Sequence, residues 1–152
     1  MKILIFSDSH GSFGAMMSAI EKEGKVDMII HAGDVCADIE DLQFAYPRIC
    51  VAGVRGNNDY FNRDFPDERT FEVEGVKIFV THGHLFGVKY SLDGLVKAAN
   101  ERGVDLCVFG HTHISCREQQ GSVVLYNPGR ASRGYGVLIC DNGNFTLESK
   151  SL

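Results

Sequence analysis

The chain has no tryptophan and only three prolines among its 152 residues. It has no apolar stretch approaching the roughly 20 residues that a bilayer requires, so no membrane span is expected. It also has no Lys/Arg-rich block. Its 15 basic residues are outnumbered by 20 acidic ones, for a formal charge of −5. A field of that sign repels a polyanionic backbone, so no extended nucleic-acid surface is expected. The five cysteines, Cys36, Cys50, Cys107, Cys116 and Cys140, are odd in number, and no two stand at Cys-x-x-Cys spacing. Neither a disulfide framework nor a zinc knuckle is indicated. Cys50, Cys107 and Cys140 fall in apolar runs, where a free thiol behaves as a small hydrophobe, and a reducing cytoplasm is the expected compartment. The strand-like run Lys2–Phe6 starts directly after Met1, without the basic and long apolar regions of a signal peptide. No Pro/Gly/Ser linker, charge block or internal repeat divides the sequence, which predicts one domain over 1–152.

Five short apolar runs are present: Lys2–Phe6, Met28–Ile30, Ile49–Val54, Lys77–Val80 and Leu106–Phe109. Each is rich in β-branched residues and bounded by Gly or polar residues, the pattern of a buried strand. Between them lie helical periodicities. After Ser12, an N-cap type, Phe13, Met16, Met17 and Ile20 recur at helical spacing. Asp38 is positioned to cap a second helix carrying Ile39, Leu42 and Ala45, which Pro47 stops. Ser91 precedes a third with Leu92, Leu95, Val96 and Ala99 on one face and Gly103 at its end. The first half thus reads β-α-β-α-β, a parallel sheet. In the second half, Thr70–Val73 and Lys77–Thr81 flank the turn Glu74-Gly75. Ser115–Gln119, Ser122–Tyr126, Tyr135–Cys140 and Phe145–Glu148 then read as antiparallel strands joined by Gly-containing turns. The expected fold class is α/β, a four-layer α/β/β/α sandwich of two packed mixed sheets flanked by helices.

The chemistry lies where these strands end. Asp8 and His10 follow the first, Asp34 the second, Asn57 the third, His82 the fourth, and His111 and His113 the fifth. In an open α/β sheet, ligands bind beyond the carboxyl ends of the strands, so these stretches deliver hard oxygen and imidazole donors to one edge. Residues i and i+2 of an extended segment point the same way, which lets Asp8 and His10 reach one ion, and His111 and His113 form a paired-imidazole donor at the same spacing. Seven ligands exceed one tetrahedral ion and suit two ions bridged by a carboxylate, the arrangement that hydrolyses phosphate esters. Asp34 is the candidate bridge. Each piece alone has an ordinary reading: Asp8-Ser9-His10 as a polar turn, Gly33-Asp34 as a cap, and Gly56-Asn57-Asn58-Asp59 as a turn. Four of the six histidines, however, sit in His82-Gly83-His84 and Gly110-His111-Thr112-His113, a concentration that packing does not explain. His31 reads as a core or supporting residue, and Cys36 as a loop thiol. Asp59 is a candidate orienter of a ligand imidazole, against a plain turn Asp. His84 is open to phosphate contact, proton transfer or a supporting role.

Together these residues resemble the calcineurin-like metallophosphoesterase superfamily, whose motifs run Asp-x-His, Gly-Asp, Gly-Asn-His-Asp/Glu, a His after a strand, and Gly-His-x-His. All five occur here in order over Asp8–His113, with spacing similar to the small bacterial and archaeal phosphodiesterases. The resemblance implies one metal held by Asp8, His10, Asp34 and His113, and a second by Asp34, Asn57, His82 and His111. It favours Mn²⁺, while the donor set also suits Fe, Zn²⁺, Ni²⁺ or Co²⁺. Asn127-Pro128-Gly129 also recurs in this group. Two positions depart from the pattern. Asn58 stands where the larger phosphatases carry a His that assists the leaving group, and an amide is no general acid. Arg130 follows Asn-Pro-Gly where Ser is usual. Arg130 or Arg133 is suited to hold a substrate phosphate, or equally to a surface ion pair.

The expected function is hydrolysis of small phosphodiesters by a metal-activated hydroxide, with Asn57, His84 and Asp59 as catalytic candidates and Asn58 and Arg130 as substrate contacts. A metal-dependent phosphomonoesterase is the first alternative. A protein-interaction scaffold with a vestigial metal site, as in the retromer subunit of this fold, is the second. The expected partner is a small-molecule phosphoester, and self-association is compatible with the sequence.

Overall fold

A computed structural model describes all 152 residues. β1 (Lys2–Phe6), α1 (Phe13–Glu23), β2 (Met28–His31), α2 (Cys36–Ala45) and β3 (Cys50–Gly53) form the expected first half. β1 pairs in parallel with β2, and β2 with β3. β4 (Glu68–Val73) and β5 (Val76–Thr81) form an antiparallel hairpin around Glu74-Gly75. α3 (Asp93–Arg102) leads to β6 (Leu106–Val108), followed by β7 (Cys116–Gln120), β8 (Val123–Asn127), β9 (Gly134–Asp141) and β10 (Asn144–Ser151).

The strands divide into two five-stranded sheets, ordered β10-β9-β1-β2-β3 and β4-β5-β6-β8-β7. The second half is less uniformly antiparallel than its pattern predicts. β7 and β8 form a hairpin, but β8 lies parallel to β6. β9 leaves for the other sheet, where it runs antiparallel to β1 with Lys2 opposite Ile139.

Strand alternation sets the layers. Successive residues of β1 point to opposite faces, and all of Ile3–Phe6 are fully buried. Ile3 and Ile5 join Ile30, Ile78, Val80 and Val124 between the sheets. Leu4 and Phe6 face outward onto Met16, Ala19 and Ile20 of α1. Phe79, Cys107 and Leu125 of the second sheet pack on Leu95, Ala98 and Ala99 of α3. This is the four-layer α/β/β/α sandwich. Being covered on both faces explains why the central strands read as continuous apolar runs rather than alternating ones.

Local differences have local causes. Ser12 occupies the N-cap position of α1 but makes no side-chain cap. α2 starts two residues before Asp38, with Val35 at its N-cap. Asp38 is therefore not the cap, and its carboxylate accepts from Ser9 Oγ at 2.6 Å and the Gly11 N–H at 2.9 Å. At α3 the Asp93 N–H donates to Ser91 Oγ, and Gly103 closes the helix with φ 62°. Cys36 is not in a loop. It opens α2, buried beside Ile39 and Phe65, and burial pushes its thiol up to about 12. Cys50, by contrast, is exposed at the start of β3.

Candidate metal centre

The carboxyl ends of β1, β2, β3, β5 and β6 open onto one edge of the sandwich, and each carries its polar motif there. The two paired motifs do not use extended backbone. Asp8 and His10 have φ of 51° and 42°, and His111 and His113 have 70° and 63°. This corrects the strand-like i, i+2 geometry expected from sequence. The side chains converge because the backbone coils through the left-handed region, which costs a non-glycine residue roughly 1–2 kcal/mol. Specific bonds hold it there. The Asp8 N–H donates to the Gly33 carbonyl at 2.7 Å and the Ser9 N–H to the Asp34 carbonyl at 2.8 Å. The His111 N–H donates to Asp8 Oδ2 at 3.1 Å. Asn127 Nδ2 donates to the Gly110 carbonyl at 3.1 Å and to Thr112 Oγ1 at 3.0 Å. Two glycines permit the close approach. A Cβ on Gly110 would collide with Ser7 Oγ and lie 2.7 Å from Asp8 Oδ2, and one on Gly33, already at φ 79°, would lie 2.9 Å from the Gly56 nitrogen.

Asp8, Asp34 and His82 form a buried floor, each at most 1% exposed. His111 and His113 are half-buried above it, and His10 and Asn57 are exposed at the rim. Donor atoms of Asp8, His10 and His113 lie within 4.8 Å of one another, as do those of Asp8, Asp34 and His82. His113 Nε2 lies 3.2 Å from Asp8 Oδ1, and His82 Nε2 lies 3.8 Å from it. His10 Nε2 and His82 Nε2 each lie 3.9 Å from Asp34 Oδ2. Asn57 Oδ1 is 3.1 Å from both His82 Nε2 and His111 Nδ1.

Three features fit this donor set to cations. Asp8 Oδ1 is buried without a hydrogen-bond partner, and an orphaned buried carboxylate oxygen is costly unless an ion meets it. His82 Nδ1 lies 2.8 Å from the Ala32 carbonyl. A carbonyl only accepts, so in the neutral ring the proton is on Nδ1 and Nε2 turns a lone pair toward the Asn57 oxygen. A cation reconciles those two facing lone pairs, and the carbonyl behind the imidazole fixes its tautomer as ligating histidines require. Burial also holds His111 down to about 4 and lowers His113, so near pH 7 neither ring carries the charge that would repel a cation.

Other sequence-selected residues take different positions from those expected. Asp59 touches no imidazole. It accepts from the Cys36 N–H at 2.9 Å and the Gly56 N–H at 2.8 Å, tying the β3 loop to the start of α2. Its assignment as a histidine orienter is corrected: the Ala32 carbonyl does that for His82. Asn58 turns back onto Asp34 rather than into open space, donating from its backbone N–H to Oδ1 at 3.1 Å and from Nδ2 to Oδ2 at 2.5 Å. His84 stands with its ring centroid 5.5 Å from that of His82 and 6.0 Å from that of His111. Its Nδ1 is buried without a partner, and burial lowers its pKa. Arg130 donates through Nε and a terminal nitrogen to His113 Nδ1 at 3.0 and 2.9 Å. His31 is fully buried and supports the site indirectly. It accepts from the Gly33 N–H and meets Ser9 Oγ at 3.1 Å, and Ser9 in turn donates to Asp38. Sequence reasoning missed Ser7, Ser9 and Asp38. Their hydroxyl and carboxylate groups brace the ligand loops, but nothing in their spacing distinguishes them from ordinary turn residues.

Comparison with known proteins places the chain in a family. Residues 1–139 fit the model of the calcineurin-like phosphoesterase superfamily domain. The chain is 36% identical to the probable metallophosphoesterase YsnB of Bacillus subtilis, over 97% of this chain and 89% of that one. It is 29% identical to phosphodiesterase MJ0936 of Methanocaldococcus jannaschii, covering 99% and 95%. Among solved structures, a predicted phosphoesterase from Streptococcus pneumoniae superposes with a TM-score of 0.82 at 27% identity, over 99% of this chain and 88% of that one. Vps29 of Entamoeba histolytica, solved with Zn²⁺, shares the fold at a TM-score of 0.77 and 17% identity, covering 99% of each chain. The chain belongs to the calcineurin-like phosphoesterase superfamily. It is a metal-dependent phosphoester hydrolase.

Proposed function

We propose that the chain is a dinuclear phosphodiesterase acting on small phosphodiesters, built as a single domain over 1–152. Asp8, His10, Asp34 and His113 would hold one ion and Asp34, Asn57, His82 and His111 the other, with Mn²⁺ as the leading choice. When bound, such a pair lowers the pKa of a shared water and neutralises charge on the phosphoryl oxygens. The observation that carries this reading is the orphaned Asp8 Oδ1 facing three imidazoles and a second buried carboxylate. The chain's own groups set the rest. The buried floor keeps Asp8 and Asp34 out of bulk water, in a low-dielectric surround where their electrostatic effect is stronger. The Ala32 carbonyl holds the His82 ring. His84 stands beside His82 and His111, in reach of a phosphoryl oxygen at the edge of the site. Asn58 offers an amide rather than an acid, so the leaving oxygen departs on its own low pKa or with a proton from solvent. That favours diesters with good leaving groups. Five free cysteines support a reducing compartment such as the cytoplasm.

The test is a comparison of kcat/KM for matched p-nitrophenyl mono- and diesters after chelation and reloading with each divalent metal, repeated for Asn58→His. The diester should be preferred, and the substitution should raise monoester hydrolysis selectively. A wild type that prefers monoesters would replace this assignment with a phosphomonoesterase. No turnover with any metal would leave the interaction scaffold as the better reading.

A further inference from the structure

Beside the metal centre lies a second cavity with a different character. The turn after β8 runs Asn127-Pro128-Gly129-Arg130-Ala131-Ser132-Arg133. It is rigidly pinned: the Gly129 N–H donates to Asn127 Oδ1 at 2.8 Å, the Arg133 N–H to the Arg130 carbonyl at 2.9 Å, and the Ala131 N–H to the Ser7 carbonyl at the end of β1. The turn and the end of β10 enclose a cleft of about 380 Å³ lined by Arg130, Arg133, Lys150 and His113 among others, with no carboxylate in its wall. Lys150 is already paired with Glu23 at 2.8 Å. Arg133 is exposed and its guanidinium has no ion-pair partner. Arg130 and His113 also border a cavity of about 280 Å³ that contains Asp8 and His10. The Arg130–His113 pair is thus a wall shared by the metal centre and the cleft. In a chain of charge −5, two guanidiniums without a carboxylate partner on one braced turn, Arg130 bonded to the His113 ring and Arg133 free, form a local reversal of sign. Ser115, Ser149 and Ser151 line the same space, with the Ser149 hydroxyl already bonded to that of Tyr126. Guanidinium forks with nearby hydroxyls match the oxygens of a phosphate.

We infer that this cleft is a subsite for a second phosphate on the substrate, so that the favoured diesters carry an additional phosphate monoester close to the scissile group. This rests on the phosphodiesterase reading for its catalytic consequence, but not for binding.

The experiment therefore has two arms. In the first, the Mn²⁺-loaded chain is assayed on thymidine 5′-(p-nitrophenyl phosphate) with a free 3′-hydroxyl and on its 3′-phosphorylated counterpart. The extra phosphate should lower KM about tenfold or more, as expected for a charge-assisted contact, and Arg133→Gln should bring the KM ratio close to one, with Arg133→Lys restoring part of it. In the second, calorimetry measures thymidine 3′,5′-bisphosphate binding to the same proteins, and Arg133→Gln should weaken it by a similar factor. Turnover of both esters with equal KM, or bisphosphate binding indifferent to Arg133→Gln, overturns the subsite and leaves the phosphodiesterase reading standing. Arg133-dependent bisphosphate binding without turnover of either ester upholds the subsite and removes the phosphodiesterase.

Discussion

Glu23, the last residue of α1, should make the protein's stability depend on pH in a defined acid window. Its Oε2 lies 2.8 Å from Lys2 Nζ and its Oε1 lies 2.8 Å from Lys150 Nζ. The Tyr135 hydroxyl donates to Oε1 at 2.8 Å. The carboxylate is 5% exposed, and these partners, Lys150 first, hold its pKa down from 4.5 to about 2. A pKa unit corresponds to about 1.4 kcal/mol, so the full shift corresponds to about 3 kcal/mol. The lysines are 29% and 31% exposed, so screening reduces this to about 1–2 kcal/mol. Because the folded pKa is depressed, this stability is present above the unfolded value near 4.5 and is lost as pH falls toward 2. Glu23→Gln should therefore lower Tm by about 2–8 °C at pH 7, using roughly 2–4 °C per kcal/mol for a chain of this size. The gap should close between pH 4.5 and 2. Thermal unfolding of both proteins in chelator, recorded at half-unit pH steps, measures it. A gap that stays constant down to pH 2.5 would show that Glu23 contributes packing rather than charge, and the argument would fail.

Three further outcomes follow from the site. Asn57→Ala should cut metal-supported turnover by orders of magnitude while shifting Tm of the chelated protein by less than about 2 °C, since the side chain is exposed and contributes little to folding; unchanged turnover at saturating metal would make Asn57 only a turn residue. Asp8→Asn should abolish the rise in Tm that metal binding gives the wild type, while costing the chelated protein no more than about 1 kcal/mol, because it also removes a buried unpaired charge; a full metal-dependent Tm shift in the variant would remove Asp8 from the ligand set. Gly110→Ala should destabilise by about 1–3 kcal/mol through overpacking against Ser7 and Asp8 and weaken metal uptake with it, as read by denaturant unfolding and metal titration; wild-type values in both would mean that the loop relaxes freely.

The fold was legible where one physical signal dominated. Runs such as Ile3–Phe6 and Leu106–Val108 declare buried strands because both faces are covered, and Glu74-Gly75 declares its hairpin. Polar groups at strand ends then mark one edge of the sandwich, which brought Asp8, Asp34, His82, His111 and His113 together in a single reading. Illegible were features decided by tertiary contact. Nothing local announces the left-handed backbone at Asp8 and His10, which depends on bonds to Gly33 and Asp34 in the loop after β2. Asp38 looks like a helix cap until Ser9 and Gly11 are seen to claim its carboxylate. Asp59 looks like a ligand's partner, yet two backbone N–H groups, one opening α2 and one in the loop after β3, occupy it. The parallel pairing of β8 with β6 was hidden because a hairpin to β7 precedes it and accounts for the same alternation.

The return of β9 to lie against β1 has a consequence for how the molecule is made. β1 is synthesised well before β9, and one of its edges is completed only by residues more than 130 positions later, as in the pairing of Lys2 with Ile139. Until then a strand that is apolar from Ile3 to Phe6 carries an open row of backbone donors and acceptors, the condition that invites intermolecular pairing. Closing so long a loop is also entropically slow compared with local contacts. Asp8 sits at the end of that strand and His111 and His113 at the end of β6, so the metal-binding edge is braced in full only once nearly the whole chain has been synthesised.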